Sequence, residues 1–298
     1  MTTKLKGYLL GALGGATYGM NPLFTLPLYE VGMTPDSVLF FRYLFAIPIL
    51  GLMIKGSRQG FAITRKEVPS LILMGLMFAL CSLTLFQSYN YMDAGIASTL
   101  LFIYPILVAL IMTCCFKEKL TLQTILCIVM ALAGIGLLYK GNNGVTLSLT
   151  GTLLVILSAL TYAIYLVGAN RSRLKDMPKI RVTFYVLLFG WCLFVLNSCL
   201  QGSLPLPPAE KWYLWGNLIA LGLLPTAVSL LCTTIAIQHI GSTPTSILGA
   251  LEPATAIFFG ITVFGEVLTL KDVLGLALII GAVTFVVVSG SRKKQENL

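Results

Sequence analysis

Residues 249–266 read GALEPATAIFFGITVFGE, an apolar run that carries a carboxyl, Glu252, with a proline directly behind it. A carboxyl embedded in apolar helix can exchange a proton or hold a cationic group, and Pro253 removes a backbone donor and strains the turn before it. At an offset of 148 residues, upstream and without a gap, the chain reads YPILVALIMTCCFKEKLTL, so Tyr104-Pro105 stands where Glu252-Pro253 stands later. Pro105 and Pro253 are candidate hinges, while Glu252 and Tyr104 are candidate substrate or coupling residues. The alternative for Glu252 is that it bonds a carbonyl freed by Pro253 and fixes a kink.

The elements that must hold these residues are set by composition. The chain is 57% hydrophobic and only 10% charged, with a mean hydropathy of +0.91. That is far from the roughly 25% charged make-up of soluble domains. Most apolar stretches approach the ~20 residues a helix needs to cross hydrocarbon. Breaks at charges, Pro and Gly predict ten spans, near 6–28, 36–54, 68–91, 95–116, 121–139, 149–169, 182–200, 212–237, 244–264 and 272–289. The first is expected to be a retained helix, because its apolar run is longer than a signal peptide's and contains Pro22 and Pro27. The short connections leave no room for a soluble domain, so any site is built from the helices.

Placing the N-terminus inside puts sixteen of the 20 Lys and Arg in inner loops and three in outer loops, with Arg42 inside a span. This positive-inside bias predicts a multi-pass protein with both termini cytoplasmic, in a plasma membrane of the bacterial inner-membrane type. It also accounts for the net charge of +9 without a nucleic-acid partner.

The 148-residue offset continues through Phe116 and Phe264, Glu118 and Glu266, and Leu120-Thr121-Leu122 and Leu268-Thr269-Leu270. GYLLGALGGATY from Gly7 matches GTLLVILSALTY from Gly151 in the same way, at 144. Two five-helix halves, 1–143 and 144–298, follow. Five is odd, so equivalent helices run in opposite directions and the repeat is inverted, the plan on which many secondary transporters build a midplane site.

The ten-span double five, RYLFA at Arg42, LEP at Glu252 and GEVLTLKDVLGLALIIGAV from Gly265 together resemble the EamA family of the drug/metabolite transporter superfamily. The resemblance covers essentially the whole chain. It implies an all-α integral membrane protein of ten transmembrane helices, two inverted five-helix repeats around a central cavity. It also implies export or exchange of small metabolites, often amino acids, driven by a gradient and not by nucleotide hydrolysis.

Within this frame Arg42 either attracts a substrate carboxylate or snorkels to headgroups or pairs with Asp36 or Asp93. Tyr18 and its repeat partner Tyr162, with Asn21 and Gln87, are the further candidates for lining. Tyr91, Ser98, Tyr165, Ser229, Thr233, Ser246 and Thr255 are weaker ones, since such residues also serve as interhelical glue. Glu118 and Glu266 are read as structural, a carboxylate near exposed amides of the turn after spans 4 and 9, with Thr269-x-x-Asp272 at capping-box spacing. Gly7, Gly11, Gly15 and Gly19 mark a packing groove in span 1. His239 is the only histidine and the seven cysteines have no ligand spacing, so neither a metal nor a cofactor is expected.

An enzyme is disfavoured by the lack of HExxH, a phosphate loop or a nucleophile with a base, and a channel by the lack of a charge ring or filter motif. The reading is a secondary active transporter, an exporter of amino acids or related compounds coupled to protons. An obligate exchanger, a multidrug or cation exporter of the same fold, and a membrane receptor or scaffold stand as alternatives. The expected partners are a small-molecule substrate, protons and the bilayer, with the chain a monomer or homodimer.

Overall fold

The computed structural model describes residues 3–57, 60–117, 122–139, 148–174, 176–202, 204–208, 210–240, 245 and 248–296. Among these residues the secondary structure is helical, with no strand. In chain order the helices are α1 (Thr3–Tyr18), α2 (Asn21–Tyr29), α3 (Pro35–Gly56), α4 (Val68–Ser88), α5 (Ala94–Leu101), α6 (Tyr104–Phe116) and α7 (Leu122–Tyr139). They continue with α8 (Leu149–Arg171), α9 (Lys179–Gln201), α10 (Tyr213–Gly222), a π-helical turn (Leu223–Val228), α11 (Ser229–Ile240), α12 (Leu251–Phe264) and α13 (Leu270–Glu296).

Six helical segments are long and apolar enough to cross a membrane: Pro35–Gly56, Val68–Ser88, Ala94–Phe116, Leu149–Ala169, Lys179–Leu200 and Tyr213–Thr233. Leu251–Phe264 and Val273–Ala282 are apolar but shorter. Helix also occupies the intervals predicted for spans 1, 5, 9 and 10. The protein is therefore a multi-pass helical membrane protein.

Several starts are written locally. Thr34 caps α3 by accepting from the Ser37 amide, with Pro35 in the first turn, and Ser148 caps α8 by accepting from the Gly151 amide. A proline inside a span leaves the carbonyl four residues earlier without its helical partner, and at three places the chain supplies another donor. The Tyr18 carbonyl, four before Pro22, accepts from Asn21 Nδ2 at 2.8 Å. The Leu221 carbonyl, four before Pro225, accepts from Thr226 Oγ1 at 3.1 Å, and the π turn is the widened backbone that results. The Gly249 carbonyl, four before Pro253, accepts from the Glu252 backbone amide at 3.0 Å.

Ahead of Pro22, Pro105 and Pro253 the helix begins anew within a turn of the proline, whereas Pro225 sits in the π turn and Pro27 and Pro48 lie inside helices that continue past them. Span 1 divides into α1 and α2, and span 4 into α5 and α6. α6 and α12 end alike, at residues in the left-handed region, Lys117 (φ 56°) and Gly265 (φ 69°), at the 148-residue offset.

Packing crosses between the halves. α7 lies on α13, α1 on α11, α4 on α8, and α5 on α12. The end of the bundle that carries Lys55, Arg65, Lys66, Arg173, Lys179 and Arg181 is called the basic end below, and the opposite end the far end. The principal core cluster includes Leu39, Phe86, Ala97, Leu100, Val155 and Leu218 and reaches Leu50 on the side of the basic end. The basic end holds a smaller cluster built on Leu71, Met74, Leu174 and Val186. There the 61–66 segment is held by Tyr185 Oη to the Phe61 carbonyl (2.6 Å), Arg181 to the Ala62 carbonyl (3.1 Å) and Arg173 to the Lys66 carbonyl (3.4 Å).

Candidate functional site

A cavity of about 240 Å³ lies among α1, α3, α4, α6, α8, α9, the π turn, α11 and the start of α12. One wall is aromatic: Phe78, Tyr104, Tyr162 and Tyr165. The Tyr104 and Tyr162 rings meet edge to face at 4.7 Å, Tyr162 stacks on Tyr165 at 5.9 Å, and Phe78 lies 5.2 Å from Tyr165. The facing wall is the α1 strip of Gly11, Gly14, Gly15 and Tyr18. Its small residues let α1 approach the backbone that leads into α12. A Cβ on Gly15 would stand 2.7 Å from the Leu248 carbonyl, and one on Gly19 would overlap the Glu252 carbonyl.

Two ionisable side chains, Arg42 and Glu252, enter this space from different elements. Glu252 lies in the first turn of α12 and is half-buried. Its backbone amide already serves the carbonyl released by Pro253, so the carboxyl is not needed to fix the break, and it makes no hydrogen bond to the described residues. It lies within electrostatic reach of Arg42, Tyr18, Tyr104 and Tyr162.

Arg42 is 2% exposed, so it does not snorkel to the headgroups. Its Nε donates to Thr226 Oγ1 at 3.0 Å and its guanidinium lies 5.3 Å from the Phe86 ring centroid. The π turn therefore positions Arg42, because Thr226 accepts from the arginine while donating to Leu221. Asp36, one of the acids expected as a partner, is instead held by Asn197 Nδ2 at 2.7 Å. Among the described residues no carboxylate comes within ion-pair distance of Arg42.

The cavity thus gathers Glu252, Tyr104, Tyr18, Tyr162 and Arg42 from the candidates of the sequence, with Tyr165, Ser229 and Thr233. Asn21 and Gln87 are not among its lining residues; Asn21 is buried at the start of α2, one turn further toward the far end, and Gln87 is half-buried in the last turn of α4. Tyr91 is exposed and Ser98 is buried outside the lining, while Thr255 packs near Gly19. Glu118 and Ser246 lie outside the described residues.

Glu266 meets the amides of α5 and not those of the turn that follows it in sequence. The Ala94 amide donates to its Oε1 at 2.9 Å, so a carboxylate from the loop after α12 caps α5, 172 residues away in sequence. Gly260 leaves the space that this carboxylate occupies. Burial, then the nearby Asp93, pushes the Glu266 carboxyl above the ordinary glutamate range, against the pull of the α5 amides.

Phe78, Thr183, Thr226 and Thr245 also line the cavity and were not singled out in the sequence. Thr226 carried a signal, since it follows Pro225 in the middle of a span; Phe78 and Thr183 carried none.

The fold and the site define a helical membrane protein with a polar, charged cavity inside its helix bundle. A model of the EamA-like transporter family matches twice, over residues 5–140 and 149–288, and the chain belongs to that family. A Bacillus subtilis (strain 168) protein named "Uncharacterized transporter YdfC" is 26% identical over 265 residues, covering 85% of this chain and 82% of its own. A second protein of that organism, "Uncharacterized transporter YcbK", is 22% identical over 303 residues, covering 97% of this chain and 93% of its own. A solved crystal structure matches 96% of this chain and 98% of its own with a TM-score of 0.67 at 18% identity, a likeness of fold alone.

Proposed function

We propose that this chain is a secondary active transporter that exports amino acids or related small metabolites by alternating access, with proton coupling through Glu252. The observation that carries this reading is the pairing in one cavity of an unbridged cation, Arg42, and an unbridged carboxyl, Glu252, beside a tyrosine wall. A zwitterion satisfies both at once: a carboxylate meets the arginine, while an ammonium meets the carboxyl and the tyrosine faces. The volume of about 240 Å³ falls below the ~300–1,000 Å³ of sites for drug-sized ligands. That favours a small metabolite over a multidrug range.

In this account ten crossings arise from α1 with α2, α3, α4, α5 with α6, α7, α8, α9, α10 with α11, the segment ending in α12, and α13. The two halves, 1–143 and 144–298, form an inverted pair, the basic end faces the cytoplasm, and the membrane is of the bacterial inner-membrane type. Thr183, one turn from Lys179, lines the cavity on the side of the basic end, which supports an inward-facing state. A proton and a substrate ammonium compete for Glu252, and that competition couples their movements.

A thermal-shift screen of the purified protein tests the reading, because a ligand of the folded state raises its stability. Zwitterionic amino acids are expected to raise the melting temperature, whereas amines or carboxylic acids alone have smaller effects. A shift produced only by sugars, or equally by all amines irrespective of a carboxylate, contradicts it.

A further inference from the structure

The far half of the bundle encloses polar groups that its packing does not use. Asn21 and Thr25 are 3% and 0% exposed and lie one turn apart on the same face of α2. Asn21 spends its amide on the Tyr18 carbonyl, which leaves Oδ1 without a partner, and Thr25 Oγ1 has none either among the described residues. This is unusual for this chain. Thr17, Thr84, Thr99 and Thr161 are also buried in helices, and each returns its hydroxyl to the carbonyl four residues earlier. Thr25 does not.

A buried hydroxyl or amide oxygen with no partner carries its full desolvation cost, and a valine fills the space of a threonine without it. A polar pair of this kind is accounted for by a second state in which both groups are wetted. Their location says which state. Tyr18 lines the cavity, Asn21 follows it across the α1–α2 break, and Thr25 continues the line toward the far end. α2 packs against α10 and α12, and Gly19, at the break, lies on the Glu252 carbonyl. Separation of α2 from α12 therefore opens a track from Glu252 past Asn21 and Thr25 to the far face.

We infer that Asn21 and Thr25 line the far-side passage of the substrate, closed in this structure and opened when α2 leaves α12. The inference rests on the carrier reading and extends it, because it assigns a route beyond the cavity and a moving element. The acceptor oxygens of the track suit a substrate group that donates hydrogen bonds, such as an ammonium.

Cysteine accessibility tests it in the full-length chain with all seven native cysteines replaced. Thr25→Cys, Asn21→Cys and Val155→Cys are exposed, in sealed vesicles, to a charged, membrane-impermeant thiol reagent from the far face. Val155 is the comparison, fully buried in the same core cluster. The two α2 cysteines are expected to react at least about tenfold faster than the one at 155, because a minor open state is populated at ~0.1–10% whereas exposure of a packed core position needs local unfolding. Equal rates at all three positions, or protection of all three, overturn the inference.

Thr25→Val in the otherwise native chain checks it without the cysteine replacements. The melting temperature is expected to hold or rise, since no bond is lost, and a clear fall shows that the hydroxyl is paired in the closed state and overturns the inference. Failure of the carrier reading is separately visible. Thr183→Cys then resists the same reagent applied from the basic end, or saturable flux is absent, whatever the result on α2.

Discussion

Tyr104-Pro105 and Glu252-Pro253 open two helices, α6 and α12, that end at equivalent residues and in the same left-handed turn. The backbones match and the side chains do not. The Tyr104 ring completes an aromatic wall by meeting Tyr162 edge to face, whereas Glu252 brings an unpaired carboxyl into the same cavity within reach of Arg42. The difference teaches that the repeated break is a property of the fold, a way to present the first turn of a half-helix to the interior. Only one of the two breaks carries a carboxyl into the cavity, and the proposed coupling rests on that asymmetry.

The sharpest way to break this comparison is Glu252→Gln, which keeps shape and removes charge. Loss of one partner of a buried charged contact costs about 2–5 kcal/mol. Substrate binding measured by calorimetry is therefore expected to fall by well over tenfold, with the melting temperature little changed because the carboxyl bonds no other described group. Arg42→Lys comes next. A lysine keeps the charge and loses the guanidinium fork that reaches Thr226 and lies on Phe86, and binding is expected to weaken by about 1–3 kcal/mol, read in the same titration.

Glu266→Gln acts on stability, not on binding. A glutamine keeps an oxygen that accepts from the Ala94 amide and carries no charge to bury beside Asp93, so the melting temperature at pH 7 is expected to hold or rise, by up to about 1 kcal/mol of stability. Its pH dependence has a definite sign. The Glu266 carboxyl, in the loop after α12, titrates higher in the folded chain than in the unfolded one, so the folded state binds more protons between the two values. Stability falls as pH rises through that window, and a melting curve of the Gln variant loses this slope. The smallest effect is expected from Tyr104→Phe, which retains the contact with Tyr162 and changes affinity by less than about tenfold, or 1.4 kcal/mol. If Tyr104→Phe were as damaging as Glu252→Gln, the two breaks would share the chemistry and the comparison would fail.

Much of the fold was legible because hydrocarbon leaves few choices: long apolar runs become helices, and loop cations sort by side. The 148-residue offset found the two breaks, since a proline in a span leaves a visible mark. Other features were hidden for physical reasons. The Leu221 carbonyl is served by Thr226 only because Pro225 cannot donate, and the same hydroxyl turns Arg42 inward. An arginine near a helix end reads equally well as snorkelling until that partner, 184 residues away, is known. Glu266 was legible as a capping acid but not as the cap of α5, because no local spacing encodes a contact 172 residues distant. Asn21 was expected in the lining and Thr25 carried no signal, because a bond that a buried group fails to make leaves no mark in the sequence.

In the proposed mechanism one cavity, with Arg42 from the first half and Glu252 from the second, carries a zwitterionic metabolite across the membrane. The most direct test of this mechanism is flux of labelled amino acids in reconstituted vesicles, with wild type and Glu252→Gln side by side. Saturable flux is expected, stimulated by unlabelled amino acid on the opposite side and by an imposed proton gradient, and lost in Glu252→Gln. Flux that does not saturate, or that survives unchanged in Glu252→Gln, contradicts it.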